Sequence, residues 1–155
     1  YCFHKAAPDW TFGFNTSLAY KDWTLAMSAH ANVGNYVYNN VNSDCDLLTD
    51  LWANGFVNNR YHTAQEHNFA TFAQYFSDLY VQDASFLKID NITLSRNFRF
   101  NGGKAVPMNF SVFATVQNVA CITGYEGIDP EIFSGIDNNM YPRPRTWILG
   151  VKFNF

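Results

Sequence analysis

The sequence has no long hydrophobic run: no apolar stretch approaches the roughly 18 residues that a membrane-spanning helix needs. Charge is also scarce, at 15% of 155 residues, and 10 Lys+Arg against 13 Asp+Glu leave a net charge of −3. Without a cationic surplus to neutralise phosphates, a basic nucleic-acid binder is excluded. Low net charge combined with 48% hydrophobic residues excludes a disordered chain. Glutamate occurs only at Glu66, Glu126 and Glu131 while asparagine is abundant, which is poor material for helices. The opening Tyr1-Cys2-Phe3-His4-Lys5 has neither an initiator Met nor a basic segment followed by an apolar one, so no signal peptide is visible. Such a start is expected of a processed product or of the tail of something longer. No internal repeat, low-complexity tract or linker divides the chain, which fits one domain or a piece of one.

Aromatic residues, by contrast, are plentiful: 15 Phe, 9 Tyr and 4 Trp make up 18% of the chain, more than a soluble domain of this length readily buries. They fall into runs of period two. Trp10, Phe12, Phe14, Leu18 and Tyr20 share one face against Thr11, Gly13, Asn15, Ser17 and Ala19. After Lys21-Asp22 the pattern restarts, with Trp23, Leu25 and Met27 against Thr24, Ser28 and His30. A third run spans Phe86 to Phe100, with Ile92, Leu94, Phe98 and Phe100 on one face and a break near Asp90-Asn91 that predicts a bulge. The fourth sets Met108, Phe110, Val112, Ala114 and Val116 against Asn109, Ser111, Thr115 and Gln117. The fifth sets Trp147, Leu149, Val151, Phe153 and Phe155 against Thr146, Gly150, Lys152 and Asn154. These are half-buried strands, apolar on one face and polar on the other.

Two all-β architectures accept such strands. One is a soluble antiparallel sandwich, which with exposed aromatics would suit a glycan-binding module. The other is an antiparallel transmembrane β-barrel, whose large residues meet lipid while small polar ones meet a wet lumen. Three features favour the barrel. Runs of about 11 residues suit a tilted membrane crossing, whereas sandwich strands are nearer 5–6. The polar faces carry Asn, Ser, Thr and Gly rather than Lys and Glu. Aromatic residues mark strand ends at Trp10, Tyr20, Trp23, Phe100, Trp147 and Phe155, as interfacial girdles require.

Outer-membrane barrels alternate short periplasmic turns with long extracellular loops. Here the connections run short (Lys21-Asp22), long (about Asn32 to Ser85), short (Asn101 to Pro107) and long (Val119 to Pro144). With a periplasmic C-terminus both long loops fall outside the cell. Five strands cannot close, since the smallest such barrels need about 8 and an open edge in lipid strands its backbone groups. A segment of a larger barrel is therefore expected.

Three stretches resemble the C-terminal end of the SusC/RagA-type TonB-dependent outer-membrane transporters of Bacteroidetes. The first is Ala7-Pro8-Asp9-Trp10-Thr11-Phe12-Gly13-Phe14; the second is Tyr80-Val81-Gln82-Asp83-Ala84-Ser85-Phe86-Leu87 continuing to Leu94. The third begins at Gln117-Asn118-Val119, passes Thr123-Gly124-Tyr125 and Gly127-Ile128-Asp129-Pro130-Glu131, and ends at Tyr141-Pro142-Arg143-Pro144-Arg145-Thr146-Trp147. The resemblance implies about five C-terminal strands of a 22-stranded barrel, with plug and TonB-contacting segment upstream of Tyr1. It also implies an outer-membrane location, a SusD-like lipoprotein capping the mouth, and import of oligosaccharides or oligopeptides by TonB-driven displacement of the plug. No cofactor is implied. Residues 34–79 depart from the family pattern, so no substrate is carried over.

Within that long loop, Ser43-Asp44-Cys45-Asp46 is expected to open a short helix carrying Leu47, Leu48, Leu51 and Trp52, with Asn54-Gly55 as its stop. Thr63-Ala64-Gln65-Glu66 reads as a capping box for a second, with Phe69, Phe72, Phe76 and Leu79 at helical spacing. Packing of the loop onto itself is the expected role of these apolar residues. Trp52, Asn58, Asn59, Tyr61 and His62 are the candidates to face a cavity, since aromatic faces and amides suit sugar rings and amides suit peptide backbones. His62, Glu66 and His67 do not follow the His-Glu-x-x-His order of a zinc helix and lack a third ligand, so a capping and surface role is expected. Asp129, Glu131 and Asp137 lack a calcium-loop spacing and read as solvated turn acids. No acidic pair is placed for glycosidase chemistry, so no enzyme is expected. Cys2, Cys45 and Cys121 fall on the expected outer side, where Cys45–Cys121 or Cys2–Cys45 are candidate disulfides. The terminal row Trp147, Leu149, Val151, Phe153 and Phe155 resembles the signal read by the barrel-assembly machinery.

Overall fold

The computed structural model describes residues 4–47, 52–53, 55–57, 63–67, 74–100, 108–138 and 140–154. Two units emerge, one of long strands (residues 11–32, 86–122 and 143–155) and one built from the chain's remaining segments (residues 1–10, 33–85 and 123–142).

The strand unit is a five-stranded sheet. Its strands are β1 (Trp10–Tyr20), β2 (Trp23–Val33), β7 (Phe86–Phe100), β8 (Met108–Thr123) and β10 (Thr146–Asn154), in spatial order β1-β2-β7-β8-β10. The alternating runs thus form strands where the period of two places them. β8 runs further than expected, to Thr123, passing through Asn118 at φ 53°. β2 and β7 pair antiparallel, with Leu25 opposite Leu94 and Met27 opposite Ile92. Their register shifts between Ser28 and Ala29, leaving Asp90 as the extra residue where the apolar pattern breaks. β8 and β10 pair antiparallel without a slip, and Trp147, Leu149, Val151 and Phe153 face Val116, Ala114, Val112 and Phe110.

A sandwich would sequester this apolar face. Instead Phe12 is 57% and Leu149 79% exposed, and the buried apolar cluster of Val37, Ala84, Tyr125 and Ile132 contains no residue of the five-stranded sheet. The sandwich alternative is thereby overturned: large apolar side chains of the sheet stand exposed, and the buried cluster does not include them.

That core belongs to the second unit. β3 (Tyr36–Asn39) pairs antiparallel with β6 (Val81–Asp83) and parallel with β9 (Ile136–Asp137). Gly34 precedes β3 at φ +83°, donating its N–H to Ser85 Oγ at 3.0 Å; a Cβ there would come within 2.4 Å of Asp9 Oδ2. Only glycine reconciles that backbone with that neighbour.

The first expected helix is displaced. α1 covers Asn40–Cys45, and Asn39 caps it by accepting from the Asn42 N–H at 2.9 Å. Leu47 lies beyond the helix, and Trp52 belongs to a hairpin of β4 (Trp52–Ala53) with β5 (Phe56–Val57), Gly55 lying in its turn. A buried asparagine cap outranks the apolar spacing that suggested a later start. The second helix, α2 (Thr63–His67), begins at the expected capping box. Phe76 and Leu79 are not part of it: Phe76 turns at φ 58°, and Leu79 lies in the 3-10 turn Asp78–Tyr80. Nor do these residues pack inward, since Trp52, Phe76 and Leu79 are all exposed.

Candidate functional site

The sheet's two faces differ in chemistry because strand residues alternate in direction. On one face, Trp147, Leu149, Val151 and Phe153 of β10 are exposed beside Ala114 and Val112 of β8. Phe98 stacks on Phe110 with centroids 4.8 Å apart, and Phe110 lies 6.2 Å from Phe153, so an aromatic row crosses β7, β8 and β10. That row lies near the ends of β7 and β10 and the start of β8. Trp10, Phe12, Phe14, Leu18 and Tyr20 leave β1 just as exposed.

The opposite face is laced by hydrogen bonds between strands. Asn91 Nδ2 donates to Ser28 Oγ at 2.6 Å, and the Thr93 and Thr115 hydroxyls meet at 2.8 Å. Next to the bulge, His30 Nδ1 lies 2.8 Å from Asp90 Oδ2, while Lys88 is buried with its Nζ 5.4 Å from the Phe86 ring centroid. The extra residue in β7 thus turns a carboxylate toward the polar face.

Beyond the register shared with β10, β8 is held by side chains. Asn118 Nδ2 donates to the Arg143 carbonyl at 2.7 Å, and Arg145 Nη2 to the Val119 carbonyl at 2.7 Å. Pro142 and Pro144 have no N–H to offer a ladder, and the arginine and asparagine side chains supply bonds in this stretch. The alternation of prolines with arginines was visible in the sequence; the receiving carbonyls were not.

In the loop unit two tyrosine–aspartate pairs are buried. Tyr80 Oη donates to Asp46 Oδ2 at 2.7 Å, and Tyr125 Oη to Asp137 Oδ2 at 2.8 Å. Burial, then the bond to Asp46, raises the Tyr80 pKa well above the ordinary 10.0. Asp129 is buried and accepts from the Glu131 N–H at 3.0 Å. Asp129 and Asp137 are therefore not the solvated turn acids expected from sequence. No group of three metal-ligating side chains forms among the described residues.

Of the cavity candidates, Trp52 is exposed on the β4–β5 hairpin. Asn58, Asn59, Tyr61 and His62 lie outside the described residues, as do Phe155 of the β10 row and Cys2. Cys45 ends α1 with a free, half-buried thiol, so neither expected bridge through it is formed, and Cys121 is exposed on β8. Glu66 of α2 is exposed, as a surface role requires. No helix among the described residues is long and apolar enough to cross a membrane.

No family model matches the chain. TonB-dependent receptor SusC of Bacteroides thetaiotaomicron is 35% identical over 159 residues, covering 100% of this chain and 16% of the relative. TonB-dependent receptor P3 of Formosa agariphila is 26% identical over 170 residues, covering 96% of this chain and likewise 16% of the relative. Among solved structures, the RagAB peptide importer superposes in its closed-closed state with a TM-score of 0.76 at 22% identity, and in its open-open state with 0.74 at 21%. Both superpositions cover 98% of this chain and 18% of the solved chain. The fold is that of the barrel part of RagA-like TonB-dependent receptors. By its homology to SusC, the chain belongs to the SusC/RagA-type TonB-dependent receptors, spanning about a sixth of the length of the curated relatives it matches. Those relatives are receptors and importers, not enzymes.

Proposed function

We propose that this chain supplies the C-terminal strands of a TonB-energised importer of the outer membrane, taking up oligosaccharides or oligopeptides together with a SusD-like surface lipoprotein. In this reading the apolar face of β1, β2, β7, β8 and β10 meets lipid and the hydroxyl- and amide-laced face meets the wet interior. The plug and the TonB-contacting segment belong to other parts of the same receptor. The observation that carries the reading is the alternation along β10, where four large apolar side chains are exposed on one face of a sheet whose other face is polar. Hydrocarbon is the environment in which such a surface costs nothing. In the same reading the loops reach the extracellular mouth, and Trp52, with Asn58, Asn59, Tyr61 and His62 following it, contacts substrate there.

The test is uptake by cells carrying or lacking the full-length receptor. Labelled neutral oligosaccharides and labelled oligopeptides are supplied separately, with TonB present or deleted. The expected result is receptor-dependent accumulation of one class, lost without TonB and reduced by Trp52→Ala. Uptake that continues undiminished without TonB, or a receptor that fractionates away from the outer membrane, overturns the proposal.

A further inference from the structure

We infer that Arg96 and the groove beside it form a binding site for an anionic phospholipid on the outer surface of the sheet. The inference rests on the reading of the apolar face as lipid-facing. Arg96 lies directly opposite Trp23 in the β2–β7 ladder, so the two share a face, and Leu94 and Phe98 flank Arg96 on that face. A cation is out of place there, yet the guanidinium lies over two rings, 5.1 Å from the Trp23 centroid and 4.8 Å from that of Phe98. Among the described residues no carboxylate forms an ion pair with it. Two rings in contact with the group hold its position without neutralising its charge.

The position along the strand selects the partner. Trp23 is the first residue of β2 after the Lys21-Asp22 turn, and the Asn97 N–H donates to the Asp22 carbonyl at 2.8 Å. Arg96 is therefore level with the turn, where the apolar face of β1 and β2 ends, and in the proposed reading lipid phosphates lie near that level. Arg96 lines a groove of about 270 Å³ together with Trp23, Leu94, Phe98, Val112, Phe113, Ala114 and Leu149. A single cation set among aliphatic and aromatic walls matches a phosphate headgroup with its acyl chain lying alongside. Inorganic phosphate would gain nothing from the walls, and a neutral hydrocarbon would gain nothing from the guanidinium. Because the short turns face the periplasm in the proposed topology, the lipid comes from the inner leaflet.

The experiment is native mass spectrometry of the full-length receptor in micelles doped with phosphatidylglycerol or phosphatidylethanolamine of identical chains. The expected result is preferential retention of phosphatidylglycerol, unaffected by inorganic phosphate. Arg96→Gln should lower that retention by about fivefold, the worth of one interfacial cation. Ala114→Phe, which fills the groove and leaves the charge, should lower retention as well. Equal retention of both lipids, or retention unchanged in both variants, overturns the site while leaving the membrane reading intact. A receptor that retains no lipid of any kind counts against the membrane reading itself.

Discussion

Gly150 lies directly opposite Phe113 in the β8–β10 ladder, on the polar face of the sheet, and a Cβ at Gly150 would come within 2.4 Å of the ring's Cζ. An aromatic side chain on that face is accommodated because the residue across from it has none. Gly150→Ala is therefore expected to destabilise the receptor by about 1–3 kcal/mol through overpacking. Denaturant midpoints of the folded barrel measure this. Adding Phe113→Ala should recover most of the loss. Gly13→Ala is the control, since nothing lies within 4 Å of a Cβ at that position; its effect should stay within about 0.5 kcal/mol.

Leu149 tests which face meets hydrocarbon. Leu149→Arg is expected to cost about 2–4 kcal/mol at mid-depth in a bilayer. Gln117→Arg, on the opposite face of the paired strand, should cost no more than about 0.5 kcal/mol. Assembly yield and urea midpoint in lipid vesicles report both. Equal penalties would contradict the facing assigned to β8 and β10.

The Tyr80–Asp46 bond makes the loop unit sensitive to alkali. An unfolded phenol titrates near 10.0, and the folded Tyr80 is raised above that, chiefly by burial. Its contribution is complete below pH 10.0 and falls as the pH climbs through the raised pKa. Protection factors over α1 and β6, with the intrinsic hydroxide-catalysed rate divided out, should fall above pH 10.0 in the native chain. Tyr80→Phe should lose about 1–3 kcal/mol of local stability at neutral pH, because the buried Asp46 forfeits a donor. The variant should also lack the alkaline step.

Arg145→Lys keeps the charge but loses the planar fork that reaches the Val119 carbonyl at 2.7 Å. The expected cost is about 1 kcal/mol, seen as faster amide exchange confined to residues around Val119 of β8. Exchange that rises equally across the whole sheet would mean that the arginine has a wider role than this local strap.

The long strands were legible because their residues alternate between two faces for 9 to 16 positions in a row. β7 spans Phe86–Phe100 as its alternation required, and even its bulge at Asp90 followed from the break in pattern. The loop unit was not legible in this way. β3 finds partners in β6 and β9, both far along the chain and only two or three residues long, so no local period announces them. Asp137 looked like an ordinary turn acid because the Tyr125 hydroxyl that receives it is fixed by that distant pairing. Phe113 was overlooked for a related reason: its place among Ser111, Thr115 and Gln117 makes sense only beside Gly150.

β3 joins β6 on one side and β9 on the other, so two excursions widely separated in the chain share one backbone ladder. Lengthening or trimming either excursion is tolerable only where it leaves that splice in register. The β4–β5 hairpin carries no rung of it. In the proposed reading, substitutions at the exposed Trp52 leave this ladder untouched.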